Sequence, residues 1–160
     1  MKSATKNSKG KMENSTLTKN REATFQFEVI EKYEAGIVLN GPEVKSVKEG
    51  QVNLKGSYIT IDHDEAILKK AHISPYKQAS ENNSEPLRDR KLLMHKKEIL
   101  QLDHQIQANG LTLIPLSLFL KKGKIKVSLA LCRGKKIHDK RENLKKKAQH
   151  REIERNIKRY

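Results

Sequence analysis

Positive charge is piled at the two ends of this chain, which confines a packed core to the stretch between them. Residues 1–21 hold six Lys or Arg against a single Glu, and residues 133–160 hold twelve against Asp139, Glu142, Glu152 and Glu154. The 111 residues in between hold 16 basic and 14 acidic side chains, only +2 of the chain's formal +15. A near-neutral body of that length can bury one core. Its cationic ends call for a polyanion, and neutralised phosphates release counterions, so binding to nucleic acid would be strongly salt-dependent. Charge by itself leaves DNA and an anionic membrane open as partners.

Composition narrows the choice. There are three Phe, four Tyr and no Trp. Unstructured single strands are held on rows of aromatic platforms, so a folded RNA read by shape and backbone fits better. The single cysteine, Cys132, rules out an internal disulfide and suits a reducing compartment. No apolar run approaches the roughly 18 residues of a membrane span. The first twenty residues are polar and contain no signal-like apolar core, so a cytoplasmic protein is expected. Neither basic end has the wide apolar stripe of a surface-lying helix, so no membrane partner is expected.

Along the chain, residues 1–21 are too poor in apolar side chains to offset ordering entropy and read as a disordered basic extension. Phe25, Phe27 and Val29 alternate with Gln26 and Glu28, which predicts a strand with one buried face. Glu34-Ala35-Gly36 reads as a turn or bulge before a second short strand at Ile37–Leu39. Pro42 suits the first turn of a helix, Val44 and Val47 share its face, and Gly50 can stop it. Strand patterns resume at Gln51–Leu54, Tyr58–Ile61 and Ala66–Ile73. Ser74–Pro86 is a long polar loop, and Lys91–Met94 is apolar but ambiguous. His95–Asn109 predicts a helix with Ile99, Leu102 and Ile106 on one face and Gly110 as its stop. Leu111–Leu120 and Ile125–Leu131 predict a hairpin around Lys121–Lys124. In its second strand Ile125, Val127, Leu129 and Leu131 form the core face, and Lys126, Ser128 and Ala130 the exposed face.

Several short strands with helices inserted between them predict a mainly β domain over residues 22–133, a closed barrel of about six strands of the oligonucleotide-binding type. Strands do not alternate with long helices, which argues against a doubly wound α/β sheet. From Asp139 onward the composition favours helix, but Leu144, Ile153 and Ile157 are too few to pack it. The expectation for residues 134–160 is a basic tail, disordered alone and ordered on a partner.

Catalytic and metal-binding readings find little support. The six histidines lack ligand spacing, and one cysteine cannot build a zinc cluster. Cys132 falls on the strand side shared with Ala130 and Lys126 and reads as an inert thiol. Gly134-Lys135-Lys136 lacks the remaining residues of a phosphate-cradling loop, and no Gly-x-Ser-x-Gly occurs. No enzyme activity, cofactor or metal is expected.

A family resemblance emerges from six ordered blocks. They are Glu34-Ala35-Gly36, Gly41-Pro42-Glu43-Val44-Lys45-Ser46, Asn53-Leu54 with Ser57-Tyr58, and His72-Ile73-Ser74-Pro75-Tyr76. The last two are Pro86-Leu87-Arg88-Asp89-Arg90-Lys91-Leu92-Leu93 and Gly134–Glu142. Together, over about residues 20–159, the chain resembles the SsrA-binding (small protein B) family. It departs from the family pattern at Gly56, Glu85 and Met94.

The resemblance implies a six-stranded barrel that binds the tRNA-like part of transfer-messenger RNA (tmRNA) and delivers it to ribosomes stalled without a stop codon. It implies a tail that enters the vacant decoding centre and messenger channel, with the elongation factor that carries aminoacyl-tRNA as a further partner, and a monomer. By family match, Glu34, Leu93 and Lys126 are the leading tmRNA contacts, with Asn53 and Lys91 behind them. Glu34 could instead cap a turn, and Leu93 could be a core residue. In the tail, Gly134, Lys135, Lys136, His138, Asp139, Lys140 and Arg141 match the ribosome-facing block. His138 stands where the family has a ring able to stack on a base. Lys145, Lys146 and Lys147 could neutralise phosphate without specificity. The competing reading is a ribosomal structural protein or general RNA chaperone, which charge and barrel shape alone would not separate from the first.

Overall fold

The computed structural model describes residues 14–79, 83–135 and 137–158, with side chains described throughout except at 14 and 137–140. The elements in chain order are β1 (Asn14–Lys19), α1 (Ala23–Gln26), β2 (Phe27–Ile37), α2 (Gly41–Lys48), β3 (Val52–Asn53), β4 (Tyr58–Asp62) and β5 (Glu65–Lys69). After them come β6 (His72–Ile73), β7 (Arg90–Leu93), α3 (Lys96–Asn109), β8 (Thr112–Lys121), β9 (Lys124–Gly134) and α4 (Ile137–Ile157). Strands pair in the order β8-β4-β5-β7-β2-β9, and β9 pairs back onto β8, which closes a six-stranded ring. Closure removes the open edges that a small sheet would otherwise expose. The expected oligonucleotide-binding-type barrel is therefore what forms.

The barrel interior is aliphatic. Val127, Leu129 and Leu131 point inward from β9 to meet Leu113, Leu118, Ile59, Leu68 and Leu92. Helix α3 adds Leu102 and the partly buried Ile106 to that core. Both helices end on glycines in the left-handed region, Gly50 (φ +75°) after α2 and Gly110 (φ +61°) after α3, as their positions predict.

The outer face of β9 departs from simple alternation. Ala130, expected outside, is buried together with Cys132, Ala23 and Ile114 in a second cluster, with Phe27, Val29 and Tyr58 packed around them. Burial pushes the Cys132 thiol up to about 11, so it stays protonated and poor as a nucleophile.

Strand β2 explains three further differences. The chain makes one helical turn, α1, where a strand was expected to begin at Phe25. Phe27 and Val29 then face the outer cluster. The ladder with β9 slips by one residue between Val29 and Glu31, so Ile30 is extra. A bulge of one residue reverses which side each later side chain faces. Tyr33 and Ala35 therefore pack on the barrel core, and Lys32, Glu34 and Gly36 fall on the outer side. The expected turn at Glu34-Ala35-Gly36 is continuous strand, paired Glu34–Ser128, Ala35–Val127 and Gly36–Lys126. Glycine suits the close approach there: a Cβ on Gly36 would sit 3.2 Å from the Cβ of Leu93, tighter than an ordinary contact.

Elsewhere, the strand expected over Ala66–Ile73 is split at Lys70 (φ +60°), and its end, β6, pairs with β3 in a separate two-stranded sheet. The ambiguous Lys91–Met94 stretch lies mostly in β7, with Arg90 and Leu92 inward. In the long polar loop, Asn83 accepts the N–H of Tyr76 (2.9 Å) and donates to the carbonyls of Tyr76 (3.1 Å) and Ala79 (2.9 Å).

The N-terminal end differs from expectation where it is described. Residues 14–21 were assigned to a disordered extension, but β1 lies antiparallel to β8 from Asn14 to Lys19. Leu17 packs on the core. Asn20 is buried, and its N–H donates to the carbonyl of Leu116 (2.7 Å) while its side-chain amide donates to that of Pro115 (3.0 Å). One leucine and one buried amide anchor what composition reads as solvated chain; the rest of the expected extension, residues 1–13, lies outside the described residues. At the other end, α4 spans 21 residues, Ile137–Ile157, the helix that the composition favours from Asp139 onward. Its length passes the roughly 12–15 residues below which lone helices are marginal, and Lys, Arg, Glu and Gln favour it locally. Leu144, Ile153 and Ile157 remain exposed, so these three apolar side chains add little packing to it.

Candidate nucleic-acid interface

Gly36 is the meeting point of three strands. It pairs with Lys126 on β9 and with Leu93 on β7. Glu34, two residues back, shares its outward side. The fold thus brings Glu34, Leu93 and Lys126 into one patch on the barrel wall.

The patch is charged and open. Lys126 Nζ donates to Glu34 Oε1 at 3.0 Å, and Lys121 Nζ donates to both Glu34 oxygens at 3.2 and 3.3 Å. The hydrogen bond from Lys126, with help from Lys121, holds the Glu34 carboxyl below the usual carboxylate range. Glu34 is therefore an acceptor in a group that carries one net positive charge. It does not cap a turn. Exposed ion pairs of this kind add only about 0–1 kcal/mol to stability, so folding does not account for three charges gathered there. Each ammonium has three donors, which leaves both lysines able to reach a phosphate while holding Glu34. Leu93 is 54% exposed and is not a core residue. Lys121 was missed in the sequence because it belongs to the hairpin tip, two strands away from Glu34.

The two lesser candidates separate. Lys91 lies two residues before Leu93 on the same outward side of β7, with Nζ donating to Glu65 at 2.8 Å; it borders the patch. Asn53 sits on β3 in the separate sheet, and its Oδ1 accepts the N–H of Lys55 at 2.9 Å. Its visible work is to shape a local turn.

The tail block starts on the barrel. Gly134 ends β9 opposite Phe27. Lys135 is tied to α1, with its N–H donating to the carbonyl of Gln26 (3.1 Å) and Nζ to that of Thr24 (2.8 Å). Further along α4, Lys147 Nζ stands 6.0 Å from the centre of the Phe25 ring, within cation–π range. Arg141 is exposed. Lys136 lies outside the described residues, as do the side chains of His138, Asp139 and Lys140.

A second carboxylate between two basic groups lies inside the molecule. Glu43 is 5% exposed and Arg90 is fully buried. Arg90 Nε donates to Glu43 Oε2 at 2.7 Å, and Arg88 binds both Glu43 oxygens, one of them through NH2. The Asn40 N–H adds a bond to Glu43 at 2.9 Å at the start of α2. Arg90 spends its other donors on the carbonyls of Ala71 (2.7 Å), Arg88 (3.1 Å) and Pro86 (3.0 Å). Burial pushes the Glu43 carboxyl up, but the bonds from Arg88, Asn40 and Arg90 outweigh it and hold the group below its ordinary value. This cluster joins α2, β7 and the loop before β7. Its partners are 45 and 47 residues apart in sequence, so no local pattern announces it.

Comparison with known proteins bears on what the outer patch serves. The family model "SmpB protein" matches residues 17–159. The chain belongs to the SmpB family. Its SmpB-family match begins within β1, which accords with that strand being part of the fold. An SsrA-binding protein of Thermosynechococcus vestitus is 52% identical over 89% of this chain and 94% of its own length. One of Clostridium tetani is 53% identical over 91% and 93%. A solved structure described as "tmRNA-SmpB: a journey to the center of the bacterial ribosome" contains a chain 40% identical, covering 81% of this one and 95% of that one at a TM-score of 0.66. Among the described residues, no three of His, Cys, Asp and Glu gather as a metal site, and no helix is long and apolar enough to cross a membrane.

Proposed function

We propose that this chain binds the tRNA-like part of tmRNA through the outer patch of its barrel and brings that RNA to stalled ribosomes. The basic α4 region then occupies the vacant decoding centre and messenger channel. The carrier of aminoacyl-tRNA is a third partner. The observation that carries the RNA-binding part is the convergence of Glu34, Leu93 and Lys126 around Gly36, from three different strands, on a body that otherwise has little net charge. Such a patch offers cations to phosphate, a carboxylate to base amino groups and an apolar side chain to a base or ribose, the mixture that folded RNA presents.

Division of labour supports the ribosomal part. The cationic helix follows β9 in the chain, and its charged side chains from Arg141 to Lys158 are exposed. Removing residues 137–160 should leave binding to the tRNA-like RNA nearly intact and abolish tagging of stalled translation products. Loss of RNA affinity on that truncation would contradict this assignment.

A further inference from the structure

Beside Gly36 the barrel wall is indented by a cleft of about 290 Å3, lined by Gly36, Leu39, Val44, Leu93 and Ile125 together with Lys124 and Lys126. We propose that this cleft takes one unstacked nucleobase of the bound RNA, an inference that rests on the outer patch being the RNA-binding surface.

The lining selects the ligand. Leu39, Val44, Leu93 and Ile125 give most of the lining an aliphatic character, which favours a ligand with an apolar face over a bare phosphate. A nucleobase has apolar faces and polar edges, and its own phosphate stays attached at the mouth. Lys124 and Lys126, which share the lining, are the cations that phosphate would meet. Glu34, kept ionised by Lys126 and Lys121, offers an acceptor to an exocyclic amino group, the way carboxylates read cytosine. Sequence-specific RNA recognition targets bases splayed out of loops. With seven Phe and Tyr in the whole chain, and none of them lining this cleft, an aliphatic slot replaces the usual aromatic platform.

Gly36 keeps the slot open. A Cβ there would stand 3.2 Å from Leu93 Cβ and 3.5 Å from its Cδ1. Leu93 would have to give way by a few tenths of an ångström, which alters the wall it forms in the cleft. Gly36 is not in the left-handed region, so alanine is tolerated by the backbone, and the effect of Gly36→Ala falls on the cleft. Gly36 is in this sense a positioning residue for Leu93.

The test uses the full chain and the tRNA-like part of tmRNA, with affinity followed against salt. Gly36→Ala should weaken binding by about tenfold, within the range that one base contact supplies, while the slope of log affinity against log salt stays unchanged. Lys124→Ala should weaken binding and reduce that slope by about one, as expected for a lost phosphate contact. RNAs carrying one abasic nucleotide at each loop position in turn then locate the base, with no protein variant required. One position should weaken the native chain by a similar factor, and at that position Gly36→Ala should cause no further loss. If the RNA is bound but no abasic position behaves so, or Gly36→Ala binds like the native chain, the cleft does not hold a base. If the native chain does not prefer the tRNA-like RNA to an unstructured one, the functional reading itself fails.

Discussion

Two glutamates in this molecule each sit between two basic side chains, and they do opposite work. Glu43 is held by Arg88 and Arg90 in the interior, where the buried guanidinium also donates to the carbonyls of Ala71, Arg88 and Pro86. Glu34 is held by Lys121 and Lys126 on the barrel wall, in water. The interior group uses arginine, whose planar fork fills several acceptors at once, and the outer group uses lysine, a mobile point charge that can change partners. Removing one member of a buried set strands the others, whereas an exposed pair is worth little to the fold. The same acid–base triplet is therefore a bolt when buried and an offered surface when exposed.

The largest expected effect comes from the interior. Glu43→Ala should cost about 3–5 kcal/mol of stability, measured by urea unfolding, because it leaves Arg90 charged and without its carboxylate. A cost near that of a surface substitution would break the distinction between the two clusters. Next is Lys126→Ala, which should weaken binding to the tRNA-like RNA by about tenfold with a reduced salt slope while the midpoint of unfolding barely moves. Acid titration sharpens the contrast. Glu43 has a lowered pKa in the folded chain, so its contribution is complete above its ordinary 4.5 and is lost as pH falls through the folded value. Glu43→Gln should remove part of the acid sensitivity of unfolding in that window. The smallest effect belongs to Glu34→Ala, whose stability should stay within about 1 kcal/mol of the native chain, and a larger loss would make the outer patch structural.

The comparison also marks what the sequence could carry. Alternation on β9, the glycine stops at Gly50 and Gly110, and the hairpin around Lys122-Gly123 were legible because each is a local rule. The outer patch was legible only through resemblance, since Glu34, Leu93 and Lys126 come from three strands. Lys121 and the Glu43–Arg88–Arg90 cluster were not legible, because they depend on which distant segments the barrel makes neighbours. The continuous β2 was misread for a related reason. Its bulge at Ile30 reverses the sides without disturbing the apparent period of two, and Gly36 imitates a turn while serving close packing. β1 was missed because one leucine, Leu17, and one buried amide, Asn20, do the anchoring in an otherwise polar stretch.

The central claim is that preference for a tRNA-shaped RNA resides in the outer patch and not in the cationic helix. The most direct measurement compares the native chain with the triple variant Glu34→Ala, Leu93→Ala, Lys126→Ala, full length in both cases, binding the tRNA-like part of tmRNA and an unstructured RNA of equal length. The variant should stay folded and keep its salt-dependent affinity for the unstructured RNA, but no longer distinguish the two. A variant that still prefers the tRNA-like RNA by the native factor would contradict it.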